Sequence, residues 1–305
     1  MLALAVTAIV LVLGWLMGIK GVLALIALLI TATFVAAATQ AGPRPAETRL
    51  SVLQTLFLWA GEVVSAWSLF LCALPLERWL FARDHAGSRS TAAPILLVHG
   101  YVNNAGAMWR LRGALMRAGH SVHTINLEPV YADIDAYAPL LAARIADVRG
   151  RHAGREVVLV CHSMGGLVAR ALLRHCARAG QAPGVAKVIT LGTPHQGTVL
   201  SSIEMSPNGR QMRVNSPWLA ALAADEKGAW HCPLVSIWSR DDNIVAPQTS
   251  AELAGARNLA IAGVGHISLP LNSRVAAMVI EEIERADAAE AKASALAAPA
   301  PRDES

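Results

Sequence analysis

The chain has 305 residues, of which 16% are charged and 54% fall in the hydrophobic set. An ordinary soluble domain carries about 25% charged residues, so part of this chain is expected in lipid, and a mainly disordered chain is excluded by its apolar content. The net charge of +4 is diffuse, carried mostly by Arg scattered along the chain with no basic cluster interleaved with aromatics. It fits a membrane surface better than nucleic acid, and no nucleic-acid partner is expected.

The first 38 residues are almost entirely apolar. That is too long for the apolar region of a signal peptide, at about 7–15 residues. The stretch reads as two short spans, Leu2–Ile19 and Val22–Ala38, joined by a tight turn at Lys20–Gly21. One long tilted helix is the alternative. A polar interval with Gly42-Pro43-Arg44-Pro45 follows. Leu50–Leu76 is apolar again, with Trp59 and Trp67 spread along it, Trp79 just beyond it and Glu62 inside it. A lipid-exposed carboxylate at that depth costs several kcal/mol. The segment is therefore either a third span with Glu62 turned towards its neighbours, or an amphipathic helix in the membrane interface. With three spans, Lys20, Arg78, Arg83 and Arg89 oppose Arg44 and Arg49, which favours a cytoplasmic position for the rest of the chain.

From Ala93 short β-branched runs alternate with helical stretches at βαβ spacing. Strands are expected at Ile95–His99, Ser121–Asn126, Glu156–Cys161, Val185–Leu191, Leu234–Trp238 and Asn258–Ile261. Helices are expected at Ala105–Ala118, Ala136–Arg149, Ser163–Ala179 and Leu269–Arg285. Strands that are apolar throughout mark a parallel sheet covered on both faces, an α/β architecture. The Ala/Pro-rich tail from Ala286 is expected to be disordered. Cys72, Cys161, Cys176 and Cys232 show no metal-ligand or CxxC spacing and read as reduced and structural.

The sharpest chemical signal is Val157-Val158-Leu159-Val160-Cys161-His162-Ser163-Met164-Gly165-Gly166, an apolar strand, a serine and an immediate helix. This is the strand–turn–helix setting of a nucleophile elbow. Neighbours two residues either side of the serine must be small. Gly165 and Gly166 comply, and Cys161 departs from the usual glycine. A serine N-cap on an ordinary helix is the bland alternative. A serine nucleophile needs a base and an orienting acid. Asp241 and Asp242 follow one strand end, and Gly-flanked His266 follows the last strand. Both places are carboxyl ends of strands, where open α/β sheets gather ligands. The Met164 amide, and the Tyr101 amide freed by a bend at Gly100, are candidate oxyanion donors. His99 and His162 read as structural. Cys161, ending a buried strand, does not read as a nucleophile.

Five segments in this order resemble the α/β-hydrolase superfamily, in particular its bacterial lipase and esterase branch: Val98-His99-Gly100-Tyr101, the elbow, Leu191-Gly192-Thr193-Pro194-His195-Gln196-Gly197, Ile237 to Val245, and Gly263 to Ile267. The resemblance covers Pro94 to Arg285 and its register selects Asp242 over Asp241. It implies an α/β-hydrolase fold over 86–285, preceded by a membrane-associated helical region at 1–85 and followed by the tail at 286–305. It implies a Ser163–His266–Asp242 triad cleaving carboxylic esters through an acyl-enzyme, with the oxyanion on Tyr101 and Met164, and with no metal or organic cofactor. The expected partners are an ester or lipid substrate and membrane lipids, and the expected location is a bacterial inner membrane. An acyltransferase or thioesterase uses the same triad. A catalytically silent membrane scaffold is the reading from outside the enzymes, set against the presence of all three triad residues. The insert Thr198–Trp230, with Met205, Met212, Trp218 and Leu219, is expected to form an acyl-pocket wall or a short lid.

Overall fold

The computed structural model describes residues 2–42, 48–80, 84–89, 92–226 and 232–297. Six strands form one all-parallel sheet: β1 Ile95–Val98, β2 Val122–Ile125, β3 Val157–His162, β4 Val185–Leu191, β5 Leu234–Ser239 and β6 Arg257–Ile261. Their spatial order is β2-β1-β3-β4-β5-β6. The connection from β2 crosses β1 to reach β3, so the chain changes direction between β1 and β3. In open α/β sheets such a reversal marks the carboxyl-end region where ligands bind.

Side chains alternate along each strand, and both faces are buried. Leu96, Val98, Leu159 and Cys161 join Leu141, Ile145, Leu167 and Leu172 in one core. These last four come from helices α5 Tyr137–Arg151 and α6 Met164–Ala179. Ile95, Leu97, Val158 and Val160 face the other core with Leu111, Leu115, Val275 and Val279. That layer is built by α4 Trp109–Arg117 and α9 Ser273–Ala297. Double-sided burial is why these strands read as unbroken apolar runs.

The first helix departs from expectation. α1 runs Leu2–Ala38 with a single break at Gly18, where φ is 68° and ψ 164°. A side chain rarely adopts that backbone, and glycine does so at no steric cost. The direction change thus falls at Gly18, and no turn forms at Lys20–Gly21. α2, Val52–Ser68, opens on Ser51 and Gln54 in a reciprocal capping box and continues through a π-turn at Leu69–Ala73. Among the described residues two helices are long and apolar enough to cross a membrane by length and composition, Leu11–Ala38 and Val52–Ala73. They pack together through Ile30, Val63 and Ala66, with Phe34, Trp67 and Ile267 against them. The Trp59 indole donates to Thr31 Oγ1 at 2.9 Å and the Trp67 indole to the Leu23 carbonyl at 3.1 Å. Their outer faces leave Leu11, Trp15, Leu28, Leu53 and Phe57 exposed, an apolar surface of the kind that meets membrane or protein.

Three short helices complete the described chain: α3 Glu77–Leu80, and α7 Pro207–Gln211 and α8 Pro217–Asp225 in the insert. α9 continues to Ala297, past the expected end at Arg285. The continuation is Ala-rich, with high intrinsic helix propensity, and the helix runs on into the segment read as tail. The remainder of that tail, 298–305, lies outside the described residues, as do Arg44, Arg83 and residues 227–230 of the insert.

Leu159 lies in the middle of β3 and is fully buried. Leu159→Ala is expected to cost about 2–5 kcal/mol of stability, read as a lowered unfolding midpoint of the detergent-solubilised protein.

Candidate active site

Ser163 follows β3 directly and precedes the first residue of α6. Its backbone sits at φ 54°, ψ −126°, a conformation that costs about 1–3 kcal/mol and persists only when its surroundings enforce it. The enforcement is visible. The Ser163 amide donates to the Leu191 carbonyl at 2.9 Å, and Thr193 Oγ1 donates to the Ser163 carbonyl at 2.8 Å. A Cβ on Gly165 would stand 2.6 Å from the carbonyl oxygens of Val98 and His99, so the turn is pressed against the β1 loop. Cys161 is accommodated in the first core, and burial pushes its thiol pKa up, away from thiolate chemistry.

The structure brings three of the expected residues into contact. His266 Nε2 lies 3.0 Å from Ser163 Oγ and its Nδ1 lies 2.8 Å from Asp242 Oδ2. All three side chains are buried. Asp242 Oδ1 accepts from the Ile244 and Val245 amides, each at 2.8 Å, which fixes the carboxylate. Asp241 turns elsewhere, and its Oδ2 accepts from the Gly263 amide at 2.7 Å. Burial pulls the His266 pKa down, but the charge and hydrogen bond of Asp242, with the charge of Glu62, outweigh it. The net direction is up.

The Met164 amide opens α6, where the first amides have no intrahelical partner. The Tyr101 amide takes no backbone partner among the described residues. Gly100 also meets a steric constraint. A Cβ there would meet Ser163 Cβ at 2.7 Å, so close approach of the elbow excludes a side chain.

Both neighbouring histidines are structural in geometry. His99 accepts from the Leu127 amide through Nε2 at 3.0 Å and donates from Nδ1 to the Gly100 carbonyl at 2.9 Å. Burial lowers its pKa to about 4. His162 Nε2 donates to the His266 carbonyl at 3.1 Å, and burial lowers its pKa as well. Sequence reasoning missed that contact with the histidine loop. It also missed Asn243, whose Oδ1 accepts from the His266 amide at 3.0 Å while its Nδ2 donates to Thr33 Oγ1 of α1 at 2.7 Å.

A cavity of about 540 Å³ opens onto Ser163 and Tyr101. One wall comes from the insert, through Val199, Leu200, Ile203 and Met212, and another from α1, through Thr33 and Ala36. Of the four insert residues singled out, Met212 alone lines it. Met205 is 75% exposed, Leu219 is in the first core and Trp218 packs against that core. α8 spends its apolar residues on the sheet layer, which is why two of them do not reach the cavity. Among the described residues no group of three His, Cys, Asp or Glu side chains is placed to hold a metal ion.

Residues 131–259 match the family described as PGAP1-like alpha/beta domain. The structure superposes on Bacillus licheniformis lipase BlEst2 in its mature form with a TM-score of 0.57 at 18% identity, covering 66% of this chain and 98% of that one. Against Aspergillus fumigatus lipase B the TM-score is 0.56 at 20% identity, covering 66% of this chain and 56% of that one. With the six-stranded parallel order and the strained serine turn between β3 and α6, these matches decide the architecture. The fold is that of the α/β hydrolases. The aligned share leaves about a third of the chain unmatched in each comparison.

The contact at Gly165 in this hydrolase fold generates a test. Gly165→Ala is expected to destabilise by about 1–3 kcal/mol through overpacking against backbone, measured by thermal unfolding.

Proposed function

We propose that the protein is a membrane-associated serine hydrolase that cleaves carboxylic esters of lipid-like substrates. The observation that carries this reading is the continuous contact Ser163 Oγ to His266 Nε2 at 3.0 Å and His266 Nδ1 to Asp242 Oδ2 at 2.8 Å. A strained turn lifts the hydroxyl into a cavity at one end of this contact. In this mechanism His266 takes the Ser163 proton on Nε2 as Oγ attacks the ester carbonyl. Asp242 holds the Nδ1 proton and offsets the charge of the imidazolium. The carbonyl oxygen, now negative, is received by the Tyr101 and Met164 amides. As the tetrahedral intermediate collapses, the carbon–oxygen bond to the alcohol breaks and His266 returns the proton to that alcohol. Water then attacks the acyl-Ser163 ester with the same proton path, releasing the acid and restoring the hydroxyl.

Two features support an apolar ester. The cavity walls include Val199, Leu200 and Met212, and the α1 wall belongs to a helix whose other faces are apolar and exposed. At the cavity itself the α1 side contributes Thr33 and Ala36, with Thr39 and Gln40 just past the helix end, so the apolar lining for an acyl chain comes from the insert. Two structures that share this fold are named lipases, and the same chemistry is proposed here. Immersion of α1 and α2 in the membrane gives the anchoring, and the free cysteines fit a cytoplasmic domain.

The test pairs wild type with Ser163→Ala on a panel of micellar long-chain and soluble short-chain esters, beside fluorophosphonate labelling. Wild type is expected to label at Ser163 and to prefer the micellar esters, and Ser163→Ala to lose both labelling and turnover. Transfer to an added alcohol or thiol in place of water identifies an acyltransferase. Absence of labelling on folded wild type identifies a silent scaffold.

The pH profile follows from His266. The ring must be neutral to act as base, and its raised pKa places the acidic limb of kcat/KM above the usual histidine value of about 6.5. Asp242→Asn is expected to lower kcat by about 10⁴-fold and to move that limb to lower pH.

A further inference from the structure

The histidine loop joins β6 to the short turn Leu269–Leu271 and has no sheet or helix of its own to fix it. Its three consecutive amides at the working position all donate to side chains from elsewhere. His266 N donates to Asn243 Oδ1. Ile267 N donates to Glu62 Oε1 at 2.6 Å and Ser268 N to Glu62 Oε2 at 3.0 Å. Ser268 Oγ adds a third bond to Glu62 Oε2 at 2.6 Å. Glu62 is fully buried, in a helix whose other buried residues are Leu58, Val63 and Ala66. A desolvated carboxylate is costly unless its oxygens are satisfied, and these oxygens are satisfied by the loop of the base. The loop in turn is shaped around it, since a Cβ on Gly265 would stand 2.4 Å from Glu62 Oε2 and 2.5 Å from Glu62 Cδ. Through Asn243 and Thr33, α1 reaches the same loop.

We propose that Glu62 is a positioning residue for His266, and that the seating of the apolar helices on the histidine loop sets the reactivity of Ser163. This rests on the reading of Ser163, His266 and Asp242 as a triad. It turns the helical region from a passive tether into a part of the hydrolytic machinery. The titratable groups facing the His266 ring are Asp242 from the loop after β5, His162 from the end of β3, whose ring centroid is 4.8 Å away, and Glu62 from α2. Asp241 is engaged with the Gly263 amide of the same loop.

The full-length protein in detergent micelles is assayed with a short soluble ester across pH, as wild type, Glu62→Gln, Glu62→Asp, Gly265→Ala and Glu62→Gln/Gly265→Ala. Glu62→Gln keeps the shape but faces loop donors with an amide. A small displacement of the base is enough to lower kcat by about 10–100-fold, while KM stays within about twofold because the cavity is untouched. Removing a negative charge near the ring also moves the acidic limb of kcat/KM to lower pH. Glu62→Asp keeps the limb and recovers part of kcat. Gly265→Ala, which leaves the acid in place but pushes it off the loop, lowers kcat in the same way. The double variant is no worse than the poorer single one, because residues acting through one contact are not additive.

Wild-type kcat in Glu62→Gln overturns the proposal, as does a loss of kcat in both Glu62→Gln and Gly265→Ala with the limb unmoved, which is the signature of mere structural damage. If Glu62→Gln fails to fold, Gly265→Ala and Glu62→Asp decide by the same criteria. A folded wild type that neither labels at Ser163 nor turns over ester overturns the underlying triad reading instead.

Discussion

A non-glycine residue at φ 54°, ψ −126° is unstable in isolation, and the arrangement around the crevice exists to keep Ser163 there. The Leu191 carbonyl takes its amide, Thr193 takes its carbonyl, and Gly165 lets the next helix press on the loop after β1. The motif around Gly192 to Gly197 thereby acquires a physical role. It sits at the end of β4, next to β3 in the sheet, and braces the turn from the side. Gly192 carries a φ of 56°, and a Cβ there would crowd Asp242 Oδ2 at 3.1 Å and His266 Nδ1 at 3.3 Å. One short segment thus supports the serine and leaves room for the acid and the imidazole. His195 extends the brace inward, with Arg170 donating to its carbonyl at 3.0 Å and pairing with Glu226.

The other half of the arrangement is held from outside the sheet. The loop that carries His266 is the part held in this way. Here much of its support comes from α2 through Glu62 and from α1 through Thr33 and Asn243. The cavity beside Ser163 is likewise completed by α1. Apolar helices that touch the base loop and wall the cavity cannot be moved without disturbing both. This ties the packing of these helices to the proposed proton transfer.

What was legible in the amino-acid sequence is what local pattern determines. The strands were readable because double-sided burial leaves unbroken runs such as Val157–Val160, and the elbow because Ser163 sits between such a run and two glycines. Local pattern left Asp241 and Asp242 open and only the resemblance to the α/β hydrolases selected Asp242, and the structure turns Asp242 towards His266 and Asp241 towards Gly263. Glu62 announced itself as an acid in an apolar helix, but its partners lie more than 200 residues away, and no local pattern encodes such a contact. Thr33 and Asn243 were invisible for the same reason. The insert misled because Trp218 and Leu219 are as apolar as a cavity wall, and only packing decides which surface they cover. At the amino terminus, Gly18 and Gly21 are equivalent as letters, and the positive φ belongs to the former.

The central claim is that a strained serine, a buried imidazole and a fixed carboxylate form one proton path facing two backbone donors. A crystal structure of the full-length protein inactivated by a long-chain alkyl phosphonate tests it most directly. The account predicts phosphorus bonded to Ser163 Oγ, the phosphonyl oxygen within hydrogen-bond reach of the Tyr101 and Met164 amides, and the alkyl chain lying between α1 and the insert. Phosphorus on another side chain, or on Ser163 with its oxygen turned away from both amides, contradicts it.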